Sequence, residues 1–586
     1  MSETIHVSVA WPYANGDLHI GHLAGAYLPA DIFARYHRLR GSRVLMVSGS
    51  DSHGTPITVT AERQGLTPRE VFEKYHTRFL ETQKQIGISY DLFTHTDTEN
   101  HHRVSQDIFL RLLERGYLYK DTQEQLYDEQ AARFLPDRLV EGTCYICGYT
   151  EARGDQCDNC GNLIEATKLI DPRSKLTGNT PVIRSTEHYF LDLARLKDEI
   201  REYLADKDYW RPNVIKFARN MVDDLRGRPI TRDISWGIPV PLDGWEEKRL
   251  YVWFEAVIGY FSASIEWAHN RGTPAAWKDW WYDPAAKMYC FIGKDNIPFH
   301  TVIWQGELIG ISGIYDDGKR ALTLPYDVPA NEYMNIQGAQ FSKSRNWAVW
   351  LPDMLSRYDP DAIRYYVASV MPETRDADFA WEDFVNRNNN ELVAWWGNLA
   401  NRVLKFAYKH WDGQVPDPRS LRPEDEALLE ATRGGFELVG ELLNTVKLRR
   451  ALEEAMRLAR EVNVYLDQAP WFTVVKEDKQ AAARTVYTAL QAINYLKTLL
   501  APFLPFTAQR LHEMLGFDGQ LFGEQRIVSY QEQDKAHDGL IYDQANAIGR
   551  WEPEPLAPGQ ALREPQPLFK KLDTSVIEEE MARMGG

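Results

Sequence analysis

The alternation of strand-like and helix-like segments near the start of the chain limits its fold more than any other feature. TIHVSVAW alternates apolar and polar residues as a strand does, the turn formers NGD follow, and apolar residues then recur at helical spacing from Leu18. RVLMVSGSDSHGT predicts a second buried strand with a polar loop, and a capping box at Thr67 and Glu70 predicts the next helix. This alternation predicts an α/β domain with a mostly parallel sheet.

Length and charge set the broad class of the protein. The 586 residues are too many for one hydrophobic core and predict about three or four domains. The net charge of −17 repels polyanions from the molecule as a whole, so a nucleic acid would have to bind local basic and aromatic surfaces. No apolar run reaches the ~18 residues of a membrane span and no basic-then-apolar leader opens the chain. We therefore expect a cytoplasmic protein without a membrane partner.

Four of the five cysteines form the array CYICGYTEARGDQCDNC, with the spacing C-x2-C-x9-C-x2-C. A glycine follows each pair and allows the tight turn that directs two thiolates at one ion. Disulfides are disfavoured in the cytosol, so the array predicts a tetrahedral zinc site, with four unrelated thiols as the alternative. A closed shell of four thiolates predicts a structural zinc rather than a catalytic one. The four predicted ligands are Cys144, Cys147, Cys157 and Cys160, and Cys290 is expected in the core.

Three predicted strands each end in a polar loop, and ligands of parallel sheets bind at these carboxyl ends. The loops are NGDLHIGH; GSDSHG, with Asp51 and His53; and GKDN, with Gly293 and Asp295. Each loop alone has the composition of an ordinary turn, but together they predict a nucleotide-binding cleft. A fourth loop, QFSKSRN, carries Lys343 and predicts a mobile cationic flap over a polyphosphate.

Changes of pattern along the chain divide it into segments. The sheet-forming part spans 1–117 and 228–325 and is interrupted at 118–227 by an insertion that holds the cysteine array. The segment 326–387 contains QFSKSRN, 388–552 is predicted to be helical, and 553–586 is a strap rich in Pro and Glu. One helix of the helical segment has a predicted apolar face formed by Leu448, Leu452, Ala455, Leu458, Val462 and Tyr465.

Motifs spread over the chain point to a known family. HIGH at 19–22 and QFSKS at 340–344 resemble the two signatures of class I aminoacyl-tRNA synthetases. AWPYANGDLHIGH, SGSDSHGTPI, the single zinc knuckle, YVWFEAVIGY and FIGKDNIPFH together resemble the methionyl-tRNA synthetase family, over nearly the whole chain to about Phe569. The resemblance implies a Rossmann-like parallel-sheet catalytic domain with a zinc-knuckle insertion, followed by an all-α helical-bundle anticodon-binding domain.

In this family the catalytic halves correspond to 1–117 and 228–325, the connective insertion to 118–227, the stem-contact segment to 326–387, and the anticodon-binding domain to 388–552. The resemblance implies that methionine and ATP form methionyl-adenylate, pyrophosphate leaves, and the methionyl group passes to tRNA. It assigns catalysis to His19, His22 and Lys343. It assigns ATP binding to His19, Gly21, His22, Gly293, Asp295, Ser342, Lys343 and Ser344. It assigns methionine binding to Ala10, Trp11, Tyr13, Asp51, Trp253, Ala256, Val257, Tyr260, Ile297 and His300, with the ammonium group on Asp51.

The resemblance also implies cofactors and partners. One structural Zn²⁺ per chain and Mg²⁺ with ATP are expected. Methionine, ATP and a tRNA with a CAU anticodon are the expected partners, and the anticodon contacts are assigned to Asn398, Arg402 and Trp471. Because the Trp471 indole directly follows a proline at a helix break, we expect it to face solvent and stack on a base. No further dimerising domain follows, so we expect a monomer.

Two residues depart from the family pattern, and two alternatives remain. Gln340 replaces the first lysine of the KMSKS signature, which removes one positive charge from the flap, and Val257 stands where relatives often carry proline. A leucine, isoleucine, valine or cysteine enzyme of the same class is one alternative, although the first three normally carry a larger editing insertion. A catalytically silent, zinc-bearing RNA-binding relative is the other.

Overall fold

The computed structural model describes residues 3–584 apart from 137, 138, 155, 156, 158, 161–163, 317, 319, 340–346 and 470. The strands are β1 Thr4–Val9, β2 Arg43–Ser50, β3 Leu92–His95, β4 Leu118–Asp128, β5 Arg133–Phe134, β6 Val140–Thr143, β7 Ala152–Arg153, β8 Ile170–Ser174, β9 Val182–Leu191, β10 Arg228–Pro229, β11 Thr231–Arg232, β12 Arg249–Leu250, β13 Lys287–Gly293, β14 Pro325–Asp327, β15 Ala330–Asn331, β16 Met334–Ile336, β17 Ala377–Phe379, β18 Glu524–Gln531 and β19 Ala536–Asp543.

The α-helices are α1 Ile20–His22, α2 Leu28–Leu39, α3 Thr55–Gln64, α4 Pro68–Ile86, α5 Glu99–Glu114, α6 Lys197–Leu204, α7 Pro212–Asp223, α8 Val252–Asn270, α9 Lys278–Trp281, α10 Trp304–Gly310, α11 Leu351–Arg357, α12 Pro360–Ser369, α13 Trp381–Arg387, α14 Asn398–His410, α15 Pro423–Asn444, α16 Leu448–Gln468, α17 Trp471–Val474, α18 Lys479–Leu500, α19 Pro505–Met514 and α20 Ser575–Arg583. Short 3₁₀ turns occupy Ala166–Lys168, Leu193–Leu196 and Lys294–Asn296, and π-helical turns occupy Leu23–Tyr27, Phe299–Ile303 and Asn388–Gly397.

The main sheet is parallel at its centre, as the strand–helix alternation predicts. Within the described residues its order is β14-β13-β1-β2-β3-β19-β18, with β15 paired to β13. The pairs β14–β13, β13–β1, β1–β2 and β2–β3 are parallel. The strands β1 and β2 are almost entirely buried because helices cover both faces. The capping box is present at the start of α4, where the Glu70 N–H donates to Thr67 Oγ1 over 3.2 Å.

A β-hairpin formed by β18 and β19 joins one edge of this sheet. β19 pairs antiparallel with β3, and β18 pairs antiparallel with β19. The expectation that the chain is helical throughout 388–552 is therefore wrong for the hairpin. Its strands form because β3 offers an unpaired edge, a partner that lies more than 400 residues earlier and leaves no local signal.

Among its described residues, the segment 118–227 contains antiparallel strands and the helices α6 and α7. Its larger sheet has the order β10-β9-β4-β5, and a smaller sheet β7-β6-β8 carries the first cysteines. A separate hydrophobic cluster fills the space around the smaller sheet and includes Leu126, Val140 and Leu169. The insertion therefore has packing of its own beside the main sheet.

The C-terminal part of the chain is a helical bundle that the strap crosses. The predicted apolar face of α16 is buried at all six positions. The strap anchors itself through Leu556, Leu562 and Leu568, which are buried, and ends in α20. Glu580 of α20 accepts hydrogen bonds from the Arg357 guanidinium, the closer at 2.7 Å. None of the helices among the described residues has the length and apolar character needed to cross a membrane.

Candidate active site, cysteine cluster and anticodon surface

The two histidines of HIGH lie together where β1 leads into the first helix. The His19 Nδ1 accepts from the Gly21 N–H at 3.1 Å, and the His22 Nδ1 accepts from the His19 N–H at 3.3 Å. The two imidazole centroids are 3.8 Å apart and both rings are half-buried. A methyl group at Gly21 would lie 3.0 Å from the His19 ring, so glycine keeps the backbone here close to the imidazole.

A second segment closes against this loop. The Ile20 N–H donates to the Val349 carbonyl at 3.0 Å, and the Leu351 N–H donates to the Leu18 carbonyl at 2.9 Å. The segment that follows QFSKSRN is thus hydrogen-bonded to the HIGH loop. The predicted residues Ser342, Lys343 and Ser344, and with them Gln340, lie outside the described residues.

The predicted methionine-binding residues come from four segments, those after β1, β2 and β13 and the helix α8. Trp11 follows β1, and its indole lies against Gly49 of β2 and Gly259 of α8. A methyl group at Gly49 would lie 2.2 Å from that indole, and one at Gly259 would lie 2.7 Å from it. The Trp11 and Tyr260 rings are 6.4 Å apart in an edge-to-face arrangement. Glycine at both positions therefore makes room for the Trp11 indole.

The aromatic and imidazole side chains among the predicted methionine-binding residues contact one another or neighbouring rings. The Trp253 indole stacks on Phe299 with centroids 4.1 Å apart and meets Tyr13 edge-on at 6.2 Å. The Tyr260 hydroxyl is 2.6 Å from the His300 Nε2. Tyr13 and Trp253 also line a cavity of about 700 Å³ that reaches into the insertion. Of the other predicted residues, Ala256, Val257 and Ile297 are buried and Ala10 is half-buried. Val257 is only 1% exposed and packs in the core.

Asp51 is a buried carboxylate at the end of β2. Its Oδ1 accepts from the His53 N–H at 3.2 Å, and its backbone N–H donates to the Pro12 carbonyl at 2.8 Å. Burial and the nearby Glu255 carboxylate raise the pKa of Asp51 well above its usual value. A bound cation would offset both effects, so the position fits a substrate ammonium group.

Gly293 and Asp295 lie at the carboxyl end of β13. A methyl group at Gly293 would lie 2.8 Å from the Asp295 Oδ1, so a larger residue here would displace the Asp295 side chain. Lys294 between them forms ion pairs of 2.7 Å with Glu332 and Asp376. The backbone of the turn is thus fixed at the sheet edge where the HIGH loop also begins.

The sequence patterns missed a charged network behind the pocket. The sequence indicates only that His53 lies in a loop, yet its Nδ1 is 2.8 Å from the Glu255 Oε1. His101 reaches the other oxygen of Glu255 over 2.8 Å. Glu255 lies in the apolar helix α8 and His101 in α5. The sequence signal for their contact is the single charged residue, Glu255, inside the apolar run YVWFEAVIGY.

The four predicted cysteine ligands converge. Their sulfurs all lie within 4.8 Å of one another, with Cys144 to Cys160 at 4.0 Å and Cys147 to Cys157 at 3.6 Å. Four sulfurs bonded to one Zn²⁺ at about 2.3 Å lie roughly 3.8 Å apart. The cluster could therefore hold a metal ion, and the donor set fits zinc. Cys290 is buried in the core as predicted.

The predicted anticodon residues differ in their exposure. Asn398 and Arg402 lie one turn apart on α14 and are both exposed, and Arg402 donates to the Asn463 Oδ1 at 3.0 Å. The expectation that the Trp471 indole faces solvent is wrong. Only 6% of Trp471 is exposed, because its ring packs edge-on against Phe406 with centroids 4.4 Å apart. The neighbouring Phe472 is 59% exposed and is the aromatic side chain that faces solvent here.

Comparisons with known proteins agree with this arrangement. The family model described as tRNA synthetases class I (M) matches residues 5–404, and the anticodon binding domain of methionyl tRNA ligase matches residues 415–537. Methionine--tRNA ligases of Thermomicrobium roseum, Roseiflexus sp. and Thermobifida fusca are 57%, 55% and 46% identical, each covering 100% of this chain and 99% of the relative.

A solved structure shares the fold. Mycobacterium tuberculosis methionyl-tRNA synthetase in complex with methionyl-adenylate aligns with 97% of this chain and 100% of its own, with a TM-score of 0.75 at 23% identity. The Rossmann-like catalytic domain and the helical C-terminal domain expected from the sequence are thereby confirmed. The family match also selects methionine over the other class I enzymes considered above. The chain belongs to the methionyl-tRNA synthetase family of class I tRNA synthetases.

Proposed function

We propose that the described site activates methionine mainly by alignment and charge. The reaction is the ATP-dependent attachment of methionine to tRNA through methionyl-adenylate, and the chain acts as an aminoacyl-tRNA ligase. The carboxylate of methionine attacks the α-phosphate of ATP, a new oxygen–phosphorus bond forms, and pyrophosphate leaves with the bond pair. Little covalent work falls to the protein in such a displacement, so positioning and charge stabilisation lower the barrier.

The observation that carries this proposal is the buried Asp51 next to an aromatic pocket. The Asp51 carboxylate would bind the methionine ammonium group, while the rings of Trp11, Trp253 and Tyr260 enclose the side chain. Aromatic walls favour a polarisable thioether over a branched aliphatic chain. Burial removes competing water from the ammonium group, so charge pairing there is stronger than at the surface.

His19 and His22 are proposed to donate hydrogen bonds to phosphate oxygens as negative charge develops on them. Both imidazoles stand at the start of the helix that follows β1, next to the backbone of Gly21, against which adenine would lie. Gly293 and Asp295 would contact the ribose. Lys343, with Ser342 and Ser344, would offset the charge of the departing pyrophosphate, and Mg²⁺ would arrive on the phosphates of ATP.

The cysteine cluster is proposed to hold one Zn²⁺ per chain. Cys144, Cys147, Cys157 and Cys160 would supply all four ligands of the ion, which would leave no position for a substrate. The role of the ion would be to cross-link the insertion. The hydrophobic cluster there is small, and two of its buried members, Cys144 and Cys157, are themselves proposed ligands.

The exposed face of α14 is proposed to contact the anticodon. Asn398 and Arg402 offer donors and an acceptor suited to the edges of unstacked bases. Phe472 is the exposed ring on which a base would stack, and the buried Trp471 ring packs edge-on against it with centroids 6.0 Å apart. We also infer a monomer that acts in the cytoplasm, where tRNA is charged; light scattering should give the mass of one chain.

Methionine-dependent exchange of pyrophosphate into ATP tests the function. Each of the twenty amino acids is supplied in turn, and only methionine should support rapid exchange. Rapid exchange with leucine, isoleucine, valine or cysteine would contradict the assignment of substrate. No exchange with any amino acid, in a protein that still binds tRNA, would favour the catalytically silent relative.

A further inference from the structure

A cluster of charges lies behind the methionine pocket and outside the site described above. At its centre is Asp97, which follows β3 and is 3% exposed. Its Oδ2 pairs with Arg69 at 2.9 Å and with the Lys535 Nζ at 3.1 Å. Its Oδ1 lies 3.6 Å from the His53 Nε2 and 3.3 Å from the His102 Nε2. Four cationic or imidazole groups therefore surround one carboxylate.

The cluster has the composition of a metal site but not its charge balance. His53, Asp97 and His102 place ligand atoms within 4.8 Å of one another. However, Arg69 and Lys535 already neutralise Asp97, and a divalent ion would lie against both of these cations. The protein itself supplies the positive charge that a metal would bring. The cluster is therefore better explained as an internal ion-pair network.

His53 links this network to the pocket. Its ring lies between the Glu255 and Asp97 carboxylates, and its backbone N–H donates to Asp51. Burial would lower the pKa of His53, but the two carboxylates outweigh it and raise that pKa to about 10. At neutral pH His53 is therefore a cation. It offsets part of the repulsion that Glu255 exerts on the Asp51 carboxylate.

The hairpin of β18 and β19 holds the network in place from the far end of the chain. The Glu532 Oε1 accepts from the Glu99 N–H at the start of α5 over 2.8 Å. In return the Glu99 carboxylate accepts from the Gln533 and Asp534 N–H groups in the hairpin turn, at 3.1 and 2.9 Å. Lys535 in the same turn reaches both the carbonyl and the carboxylate of Asp97. The turn thus fixes the first turn of α5 and the Asp97 side chain together.

We propose that the hairpin of β18 and β19 is a positioning element of the methionine pocket, acting on Asp51 through Lys535. Lys535 and Arg69 fix one oxygen of Asp97, so that the other faces His53. His53 in turn fixes the orientation and charge of Asp51. The inference rests on the proposed binding of the methionine ammonium group by Asp51, and it makes Lys535 and His53 positioning residues that touch no substrate.

The first test compares methionine binding by Lys535→Met with that by Arg526→Ala. Both residues lie in the hairpin and form carboxylate pairs, but Arg526 pairs at its exposed far end with Asp543 over 2.6 Å. Lys535→Met should weaken methionine binding in calorimetry, and raise the KM for methionine, about threefold to tenfold. The KM for ATP should be unchanged, and Arg526→Ala should match the wild type in both measurements.

A double-mutant cycle tests whether Lys535 acts on the pocket through Asp97. Asp97→Asn should raise the KM for methionine by itself, and adding Lys535→Met to Asp97→Asn should raise it no further. Additive effects would show that Lys535 acts by another path and would overturn the proposal. Equal binding by the wild type and Lys535→Met would overturn it too. A wild type that binds no methionine would instead overturn the proposed function.

The pH dependence of methionine binding supplies a second readout. The charged groups that face His53 are Glu255 on α8 and Asp97, while His101 and His102 on α5, Arg69 on α4 and Lys535 surround these two carboxylates. Binding requires an ionised Asp51 and is lost as the pH falls through its raised pKa. His53→Gln removes the cation that lowers that pKa, so the acid limit of binding should move to higher pH. An unmoved limit in a folded His53→Gln protein would contradict the proposal.

Discussion

The hydroxyl of Tyr260 lies 2.6 Å from the Nε2 of His300, and both of these predicted methionine-binding side chains are buried. The other ring nitrogen of His300, Nδ1, lies 3.0 Å from the Asn296 carbonyl and must donate to it. Burial lowers the pKa of His300 to about 4, so the ring is neutral and its Nε2 accepts a hydrogen bond from the Tyr260 hydroxyl. The proposed methionine pocket would therefore present a fixed, uncharged hydrogen-bonded pair to the thioether.

Tyr260→Phe should weaken methionine binding, because it leaves the His300 Nε2 buried without its donor. An unsatisfied buried acceptor costs ~1–3 kcal/mol. We expect this cost to fall on the methionine-bound state, which raises the KM for methionine roughly fivefold to a hundredfold. The matched control is Tyr282→Phe, which removes a buried tyrosine hydroxyl bonded to the Ile314 carbonyl outside the pocket. Both variants should melt at lower temperature, and a KM effect shared by both would contradict a specific role for Tyr260.

His22→Ala should lower the rate of pyrophosphate exchange about a hundredfold while the KM for methionine stays near that of the wild type. The reason is that hydrogen bonds to phosphate oxygens strengthen as charge develops, and one such donor contributes ~3 kcal/mol. His269→Ala, which changes an exposed histidine at the end of α8, is the control. Equal losses in methionine binding and in rate would indicate a packing role for His22.

Metal analysis should find one zinc per chain, and Cys157→Ser should lose it. Without the ion the small core of the insertion loses its cross-link, so limited proteolysis should cut first within 118–227. Cys290→Ala, a change in the core of the main sheet, should keep both the zinc and the protection. Metal-free protein with intact thiols, wild-type resistance to protease and full aminoacylation would contradict a structural zinc.

Trp471→Ala should lower the stability of the protein, whereas Phe472→Ala should lower its activity toward tRNA. Trp471→Ala leaves a cavity that costs ~3–5 kcal/mol of stability and should lower the melting temperature. Phe472→Ala should leave the melting temperature unchanged. Loss of one stacked base costs ~1–3 kcal/mol, so its kcat/KM for tRNA should fall roughly tenfold to a hundredfold.

Methionine-dependent exchange needs no tRNA and should be normal in the Phe472 variant. Leu438→Ala, which changes an exposed leucine on α15, is the control for loss of surface area. A tRNA defect confined to Trp471→Ala, with an unchanged melting temperature, would instead favour the role first expected for the indole.

The catalytic domain should lose stability as the pH falls from 6.5, in part through His76. Burial lowers the pKa of His76 to about 4, so the folded state stays unprotonated where the unfolded chain binds a proton. Each such histidine costs about 1.4 kcal/mol of unfolding free energy per pH unit between the two pKa values. The melting temperature of the wild type should therefore fall more steeply from pH 7 to 5 than that of His76→Gln. Parallel curves would show that His76 is protonated in the folded state.

Patterns local in the sequence predicted the local structure well. The strand and turn before HIGH, the capping box of α4, the apolar face of α16 and the convergence of four cysteines all depend on residues within about one element of one another. Backbone propensity, side-chain period and ligand spacing act over that range, so the sequence expresses them directly.

Contacts between distant segments were not predictable from such patterns. The helical pattern after residue 388 gave no sign that the hairpin would pair with β3, and the proline before Trp471 gave none that Phe406 would cover the indole. In the same way Glu255, His53 and Asp97 come from three segments, and each alone has the composition of an ordinary helix or loop.

By itself the sequence determined the parallel α/β core, the helical domain, the cysteine quartet and the family, because short-range periodicity and motif spacing carry that information. Only the tertiary structure decided which aromatic side chain faces solvent, which edge the hairpin extends, and which charges surround Asp51. The physical reason is that burial and ion pairing depend on all the surfaces that meet at a point, and those surfaces come from distant segments, such as those of Asp51 and Lys535, which are 484 residues apart.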